Sequence, residues 1–325
     1  MSIQHTCSTG AVWEPLYRWH TAAHPVEVEL LRSQPVRRLT YLHHYGASAL
    51  FSPMTHSRFE HTAGVWSLTA HFFPDDILLR IAAILHDIGH LPFSHAVERT
   101  LGYNHHASTE KLITTGVITE ILHKYNISPA EVTTLLQEDT PLTNKTVLMG
   151  LDHLDSFLRD TYHAGRYAMH PSELVRSLRF NGCFLETDEP IALALIDAVV
   201  EDHKMMLQPE FLAMDALLAK AVKHHTDAHP GSAERIPSLL DHELIQELQN
   251  SSSETARALI HLLMYEPHRI QITDEPVSGS IQVQIGKLYK KQPLIGKKPA
   301  AEASFEAAVK LAELDALAAT YFFHI

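Results

Sequence analysis

Residues 81–98, IAAILHDIGHLPFSHAVE, limit the choice of fold more than any other part of the chain. They begin inside an apolar run, Ile77–Leu85, that is hydrophobic on nearly all sides and so predicts a central, buried helix. That helix runs into His86 and Asp87, followed by Gly89, His90, Pro92, His95 and Glu98. Titratable groups carried into a core are costly unless they are paired or hold a metal. The chain is therefore expected to fold around a polar centre. Gly89 and Pro92 are expected to break the helix, residues 94–101 read as a further short helix, and Gly102 reads as its stop.

Composition points the same way. Of 25 histidines, ten (43, 44, 56, 61, 71, 86, 90, 95, 105 and 106) lie between His43 and His106. Histidine is the commonest metal ligand and titrates near neutrality. About half of the histidines, His71 and His225 among them, read as ordinary surface residues. A formal charge of −12 argues against a general nucleic-acid surface. It leaves room for a small anionic substrate, because a local basic pocket or a bound metal overrides the global sign. Cys7 and Cys183 are too far apart for a disulfide framework or a zinc knuckle. The longest apolar runs are interrupted by Arg80 and Asp197 and fall short of the roughly 20 residues of a membrane span. With no basic-plus-apolar signal pattern at the N-terminus, the expectation is a cytoplasmic protein without membrane contact.

Taken in order, residues 1–24 show little periodicity and read as a loop or loosely docked arm. VEVELLRSQPVRRLTYL predicts two short helices, the second opened by Pro35. HSRFEHTAGVWSLTAHF sets Phe59, Val65, Trp66 and Leu68 at helical spacing, with His61 in the first turn. Further helices are read from His105, over 128–137 with Ser128 as cap, and from a Thr143 or Asn144 cap through to Gly165. Residues 177–186 read as a hairpin turning at Asn181-Gly182, and Pro190 opens a long helical region to about His225. A loop at 229–238 and helices at 241–248 and 253–264 follow. Beyond Pro267, RIQITDE and SIQVQIGKLYKK alternate as strands do, and residues 300–323 read as a final helix. The chain is thus expected to be mainly α: an arm and catalytic core over 1–180, a helical extension packed on it over 181–265, and a small α+β subdomain over 266–325.

Three constellations carry chemistry. His61, His86, Asp87 and Asp152, from three helices, can enclose one divalent ion and leave positions for exchangeable ligands. Two imidazoles favour Mn, Fe, Co, Ni or Zn over Mg in such a set. His90, His95, Glu98 and His106 form the second group. Glu98, three residues after His95, can fix its tautomer and raise the basicity of the far nitrogen, as a general acid or base requires. His90 and His106 are suited to holding phosphate oxygens. The third is Arg58, whose planar fork suits an anionic oxygen. Asp155 and Arg159 read as a structural pair. Asp160, Arg166 and Tyr167 read equally as pocket lining or scaffold. Lys287, Lys290, Lys291, Lys297 and Lys298 read as a solvated face or, less simply, an oligomer contact or a nucleotide-binding patch. No Walker loop, G-x-G-x-x-G or G-x-S-x-G occurs.

At these residues the chain resembles the HD-domain phosphohydrolase superfamily, and within it the deoxynucleoside triphosphate triphosphohydrolases. The carrying segments are PVRRLTYLHHYG, HSRFEHTAGV, ILHDIGHLPFSHAVE, HHASTEKLI and LDHLDSFLRDTYHAG, over about residues 25–170. The resemblance implies a helical HD-domain fold. It implies His61, His86, Asp87 and Asp152 as metal ligands, His95 with Glu98 as the catalytic pair, and His90, His106 and Arg58 as phosphate contacts. It also implies attack of water on the α-phosphate, release of nucleoside and tripolyphosphate, and a homo-oligomer. The chain departs from the family where the sugar and phosphate are read. His44-Tyr45-Gly46 stands for Gln-Leu-Gly, His153 for a lysine and Ser156 for a tyrosine. With Asp160, these are the residues expected at the substrate. Three readings follow: a phosphohydrolase of deoxynucleoside triphosphates, one of another nucleotide or small phosphate ester, and a non-catalytic nucleotide- or metal-binding module.

Overall fold

The apolar run Ile77–Leu85 is a helix, capped by the Asp76 side chain, which accepts from the Leu79 amide at 2.9 Å. Leu79, Ile81, Ile84 and Leu85 are buried, and each such side chain contributes roughly 2 kcal/mol through the water it leaves. Arg80, the charge that interrupts the run, is buried as well. Its guanidinium bonds both Glu27 carboxylate oxygens at 2.8 and 2.7 Å and the Pro74 and Ala22 carbonyls. This helix packs on Arg58–Phe72, which opens with a Ser57/Glu60 capping box. A third helix, Leu151–His163, crosses Arg58–Phe72. The crossing is close at Gly64, where a Cβ would fall 2.1 Å from both Asp155 Oδ1 and Arg159 Nη2. These three helices bring the polar centre together.

This computed structural model describes residues 10–167, 169–286 and 288–325; Cys7 and Lys287 lie outside the described residues. The protein is mainly helical, as expected. Among the described residues no helix is long and apolar enough to cross a membrane.

Several expected elements come out differently, each for a local reason. The described part of the N-terminal arm is a hairpin, Ala11–Glu14 against Trp19–Ala22, with Glu14 opposite Trp19. Its alternation turns Val12 and Glu14 inward. Residues 94–97 are turns, with Phe93 and Ser94 in left-handed backbone, and the helix there is only Glu98–Leu101, closed by Gly102 at φ 63°. The helix expected from Thr143 or Asn144 starts at Leu151. The preceding stretch is taken up by the C-terminal region: the Gln292 amide bonds the Val147 carbonyl at 2.9 Å and the Met149 amide the Gln292 carbonyl at 3.0 Å. The helical region after Pro190 is two helices, Glu189–Met206 and Pro209–Ala228, broken where Pro209 starts the second. His225 is buried rather than at the surface, its Nδ1 at 2.9 Å from Ser251 Oγ.

The hairpin Arg179–Asn181/Phe184–Thr187 forms around Asn181-Gly182, with Gly182 at φ 64°. The final helix expected over 300–323 is instead Ala300–Ala303 and Phe305–Ala312, followed by a strand, Thr320–His324. That strand is central in an antiparallel sheet between Gln271–Thr273 and Ile281–Gln284. Tyr321, Phe322 and Phe323 are strand formers, and Phe323 is fully buried. Leu294–Ile295 pairs in parallel with Glu186 and Thr187, so a sheet crosses the boundary expected at residue 266.

Candidate metal centre and its cleft

His61 sits in the first turn of Arg58–Phe72, His86 directly after Ile77–Leu85, and Asp152 in the first turn of Leu151–His163. Backbone and side-chain partners fix both imidazoles by their Nδ1 atoms. His86 Nδ1 donates to the Ala83 carbonyl at 2.8 Å, and His61 Nδ1 lies 2.9 Å from Asp155 Oδ2. The two Nε2 atoms are thereby aimed at one another, 3.3 Å apart, and lie 3.2 and 3.7 Å from Asp152 Oδ1. Asp87 stands beside them, its carboxylate 3.7 Å from His86 Nε2 and 3.9 Å from His61 Nε2. One donor atom from each of His61, His86 and Asp152 can reach a common ion. Two nitrogens and two carboxylates are a donor set suited to a first-row divalent metal.

Electrostatics keep the carboxylates ionised and leave His61 with a proton that a binding metal would displace. Burial alone would lower His61, but Asp152 and Asp155 outweigh it and hold the imidazole up at about 10. Burial would raise Asp87, yet His90, His86 and Arg58 keep its carboxyl well below the usual range. Asp155 is likewise depressed against its burial, chiefly by Arg159. Arg159 bonds Asp155 through Nε at 2.9 Å and Glu14 through Nη2 at 2.7 Å, and the Tyr17 hydroxyl donates to Asp155 at 2.6 Å. The pair read from sequence as structural therefore also orients a candidate ligand from behind, as carboxylates commonly do for metal-binding histidines.

Beside this centre lies a cleft of about 1280 Å³. Glu98 accepts from His95 Nδ1 at 2.9 Å and from His105 Nδ1 at 2.8 Å, and it also takes the His105 amide. Against its partial burial, these bonds hold Glu98 far below the usual carboxylate range. The His95 side chain is 58% exposed and lines the cleft. His90 stacks on His105 with ring centroids 4.2 Å apart, and its Nε2 is 3.1 Å from Asp87. His106, the member of the pair expected to act, is exposed and lines the cleft, while His105 is the one Glu98 holds. Gly89 is needed here for space: a Cβ would meet the His105 carbonyl oxygen at 2.3 Å. Arg58 lines the cleft but points at Asp87, Nη1 to Oδ2 2.8 Å, with Nε on Ser94 Oγ at 2.8 Å.

Of the residues expected at the substrate, His44, His153, Ser156 and Asp160 line the cleft. Tyr45 is not brought there. It packs among Met205 and Phe211, and its hydroxyl donates to the Asp160 carbonyl at 3.1 Å. Arg166 is exposed and sits 3.9 Å from Glu201, and the Tyr167 hydroxyl bonds the Ala194 carbonyl, so both belong to the scaffold. Sequence reasoning missed Asp155 as a support for His61, although it lies one turn beyond Asp152 on the same face. It also missed His56 and Asp202, which meet Asp160, and the cleft residues Lys145 and Tyr289. Lys290 and Lys291, read as a solvated face or patch, line the cleft too. Lys291 Nζ bonds the Asn144 and Thr146 carbonyls, both at 2.6 Å.

The three central helices and this centre fall within residues 58–176, which match the HD domain family. Among relatives, an uncharacterised protein of Methanocaldococcus jannaschii is 34% identical over 146 residues, 43% of this chain and 31% of that one. A metal-dependent phosphohydrolase of Cordyceps militaris is 29% identical over 51% of this chain and 49% of its own. A deoxynucleoside triphosphate triphosphohydrolase of Gallus gallus is 24% identical over 50% and 35%. The chain thus spans 31–49% of the length of these relatives. The crystal structure of a phosphohydrolase from Bacteroides thetaiotaomicron has the same fold, with a TM-score of 0.72 at 15% identity over 96% of this chain and 98% of that one.

Proposed function

We propose that the cleft is the active site of a metal-dependent nucleotide phosphohydrolase, acting on deoxynucleoside triphosphates at the α-phosphate to give deoxynucleoside and tripolyphosphate. The observation that carries this reading is the convergence of His61, His86, Asp87 and Asp152 at one point beside a cleft that also exposes a carboxylate-backed histidine. Mn, Fe, Co, Ni or Zn suits these ligands. A divalent ion held there supplies Lewis acidity toward a phosphoryl oxygen and lowers the pKa of water.

The chain's own residues do the rest. Glu98 takes the Nδ1 proton side of His95, which leaves Nε2 to accept or return a proton at the cleft. Arg58 keeps a guanidinium beside the phosphate position, with His90 and His106 as further contacts. Lys145, Lys290 and Lys291 bring cationic side chains to a cleft that also carries Asp87, Asp152, Asp160 and Asp202, and a bound divalent ion would tip its local sign toward anions. His44, His153, Ser156 and Asp160 line the space left for the rest of the substrate. The likeness to the Gallus gallus enzyme supports the triphosphate substrate.

A second reading keeps the chemistry and changes the substrate to another nucleotide or small phosphate ester. It draws on His153 and Ser156, which offer the cleft neither a lysine ammonium nor a phenol. A non-catalytic module would have no use for the Glu98-held His95. Metal-loaded protein incubated with a panel of dNTPs, NTPs, monophosphates and phosphodiesters, with products resolved, separates the three. Tripolyphosphate supports the first, orthophosphate or a monoester product the second, and no turnover with any metal the third.

A further inference from the structure

We infer that His44, His56, Asp160 and Asp202 form a second cation site, distinct from the His61–His86 centre and suited to a first-row divalent ion. The four residues come from separate places: the loop before Gly46, the loop leading into Arg58–Phe72, the late turns of Leu151–His163 and the end of Glu189–Met206. Each is more than nine-tenths buried. His56 Nε2 lies 3.0 Å from Asp160 Oδ1 and His44 Nε2 3.5 Å from Asp160 Oδ2. The His44 and His56 rings stack with centroids 4.9 Å apart, and one donor atom from each of His44, His56 and Asp160 falls within 4.8 Å of the others. The Asp202 carboxyl meets that of Asp160.

The simpler account is a buried ion pair between protonated histidine and Asp160. It leaves too much unsatisfied. Among the described residues, His44 Nδ1, both ring nitrogens of His56, Asp160 Oδ1 and Asp202 Oδ1 are buried with no hydrogen-bond partner. His56 Nε2 and Asp160 Oδ1 are close, yet the carboxylate lies off the N–H axis. One proton shared between them would settle two of these atoms and leave three. Each unsatisfied buried polar group costs about 1–3 kcal/mol, and native cores hold few of them. Without a cation the buried Asp202 carboxyl keeps its proton against Asp160, and an ion binding there would displace that proton and let both carboxylates serve as ligands. A cation satisfies carboxylates and imidazole nitrogens together, and two imidazoles with two carboxylates select Mn, Fe, Co or Zn over Mg or Ca.

This centre shares no ligand with the first, although the His44 and His61 rings are neighbours with centroids 4.9 Å apart. His44, Asp160 and Asp202 line the cleft, so an ion here is accessible to whatever the cleft binds. The inference rests on these side chains alone and holds whichever phosphate ester the cleft takes.

The test is to count ions. Purified full-length protein is stripped, equilibrated with Co²⁺, desalted and analysed for cobalt per chain. We expect two in the wild type, one in His86→Ala, one in His44→Gln and in His56→Gln, and none in the His86→Ala/His44→Gln double variant. Melting curves establish that each variant is folded. Because a core variant can fail to fold, anomalous diffraction at the cobalt edge on wild-type crystals gives an independent answer, with a peak between His56 and Asp160 expected. One ion per chain that disappears in His86→Ala, or no peak at His56 in cobalt-loaded crystals, overturns the second site. One ion that survives His86→Ala and is lost in His56→Gln upholds it and sinks the first centre instead.

Discussion

His61 touches a carboxylate through each ring nitrogen, Asp152 at Nε2 and Asp155 at Nδ1. The first is a candidate ligand. The second sets the tautomer and the angle of the ring. Asp155→Asn should therefore lower metal affinity by about 10–100-fold while leaving every proposed ligand in place. It should also weaken the fold, because Arg159 loses a buried partner at a cost of about 3–5 kcal/mol. Isothermal titration with Mn²⁺ and thermal melting measure the two effects separately; unchanged affinity would remove Asp155 from the metal account. The candidate ligands were legible because imidazole and carboxylate at a helix end have few other uses. Asp155 and His56 were not, since their roles arise from contacts 94 positions apart in one case and with Asp160 in the other. No local pattern records either. Tyr45 shows the converse limit: its place in the chain was right for the cleft, but its ring faces the other way.

At the level of elements, two close fits hold the centre in shape. The first is the crossing at Gly64. A methyl group there would overlap Asp155 and Arg159, so Gly64→Ala should lower the melting temperature and cost about 1–3 kcal/mol or more. If Gly64→Ala melts like the wild type, the helices are not packed as described. The second is Asp215 on Pro209–Ala228, which accepts the Ala47 amide at 2.9 Å and so holds the segment carrying His44. Burial pushes its carboxyl up to about 7. A raised acid contributes stability that is complete below its ordinary value of about 4. That contribution is lost as pH rises through about 7. Melting temperature should thus fall between about pH 4 and pH 7, and Asp215→Asn should remove that part of the slope; an identical slope in the variant would exclude Asp215 as its source. Helix type was legible for the three central helices from their apolar spacing, although the third starts at Leu151 and not at the expected Thr143 or Asn144 cap. It failed at 144–150 and at 320–324, where pairing with Gln292 and with two other strands decides the conformation. Propensity within a window carries no information about such partners.

For the molecule as a whole, the C-terminal region completes the cleft. Leu288, Tyr289, Lys290 and Lys291 reach a site whose other residues lie before position 208, and Lys291 ties down the loop that precedes the Asp152 helix. A chain with net charge −12 thereby places lysines in the lining of the pocket proposed to bind a polyphosphate. In the proposed reaction His86 and Asp87 hold a metal, and His95 with Glu98 moves the proton. The most direct measurement compares wild type, His86→Ala and His95→Ala for bound metal and for turnover of a dNTP panel with product identification. The account predicts that His86→Ala loses one ion per chain and loses turnover with it. It predicts that His95→Ala keeps the wild-type metal content and loses about 10²–10⁴-fold in kcat. A fully active His95→Ala, or a His86→Ala variant that retains both its metal and its turnover, would contradict it.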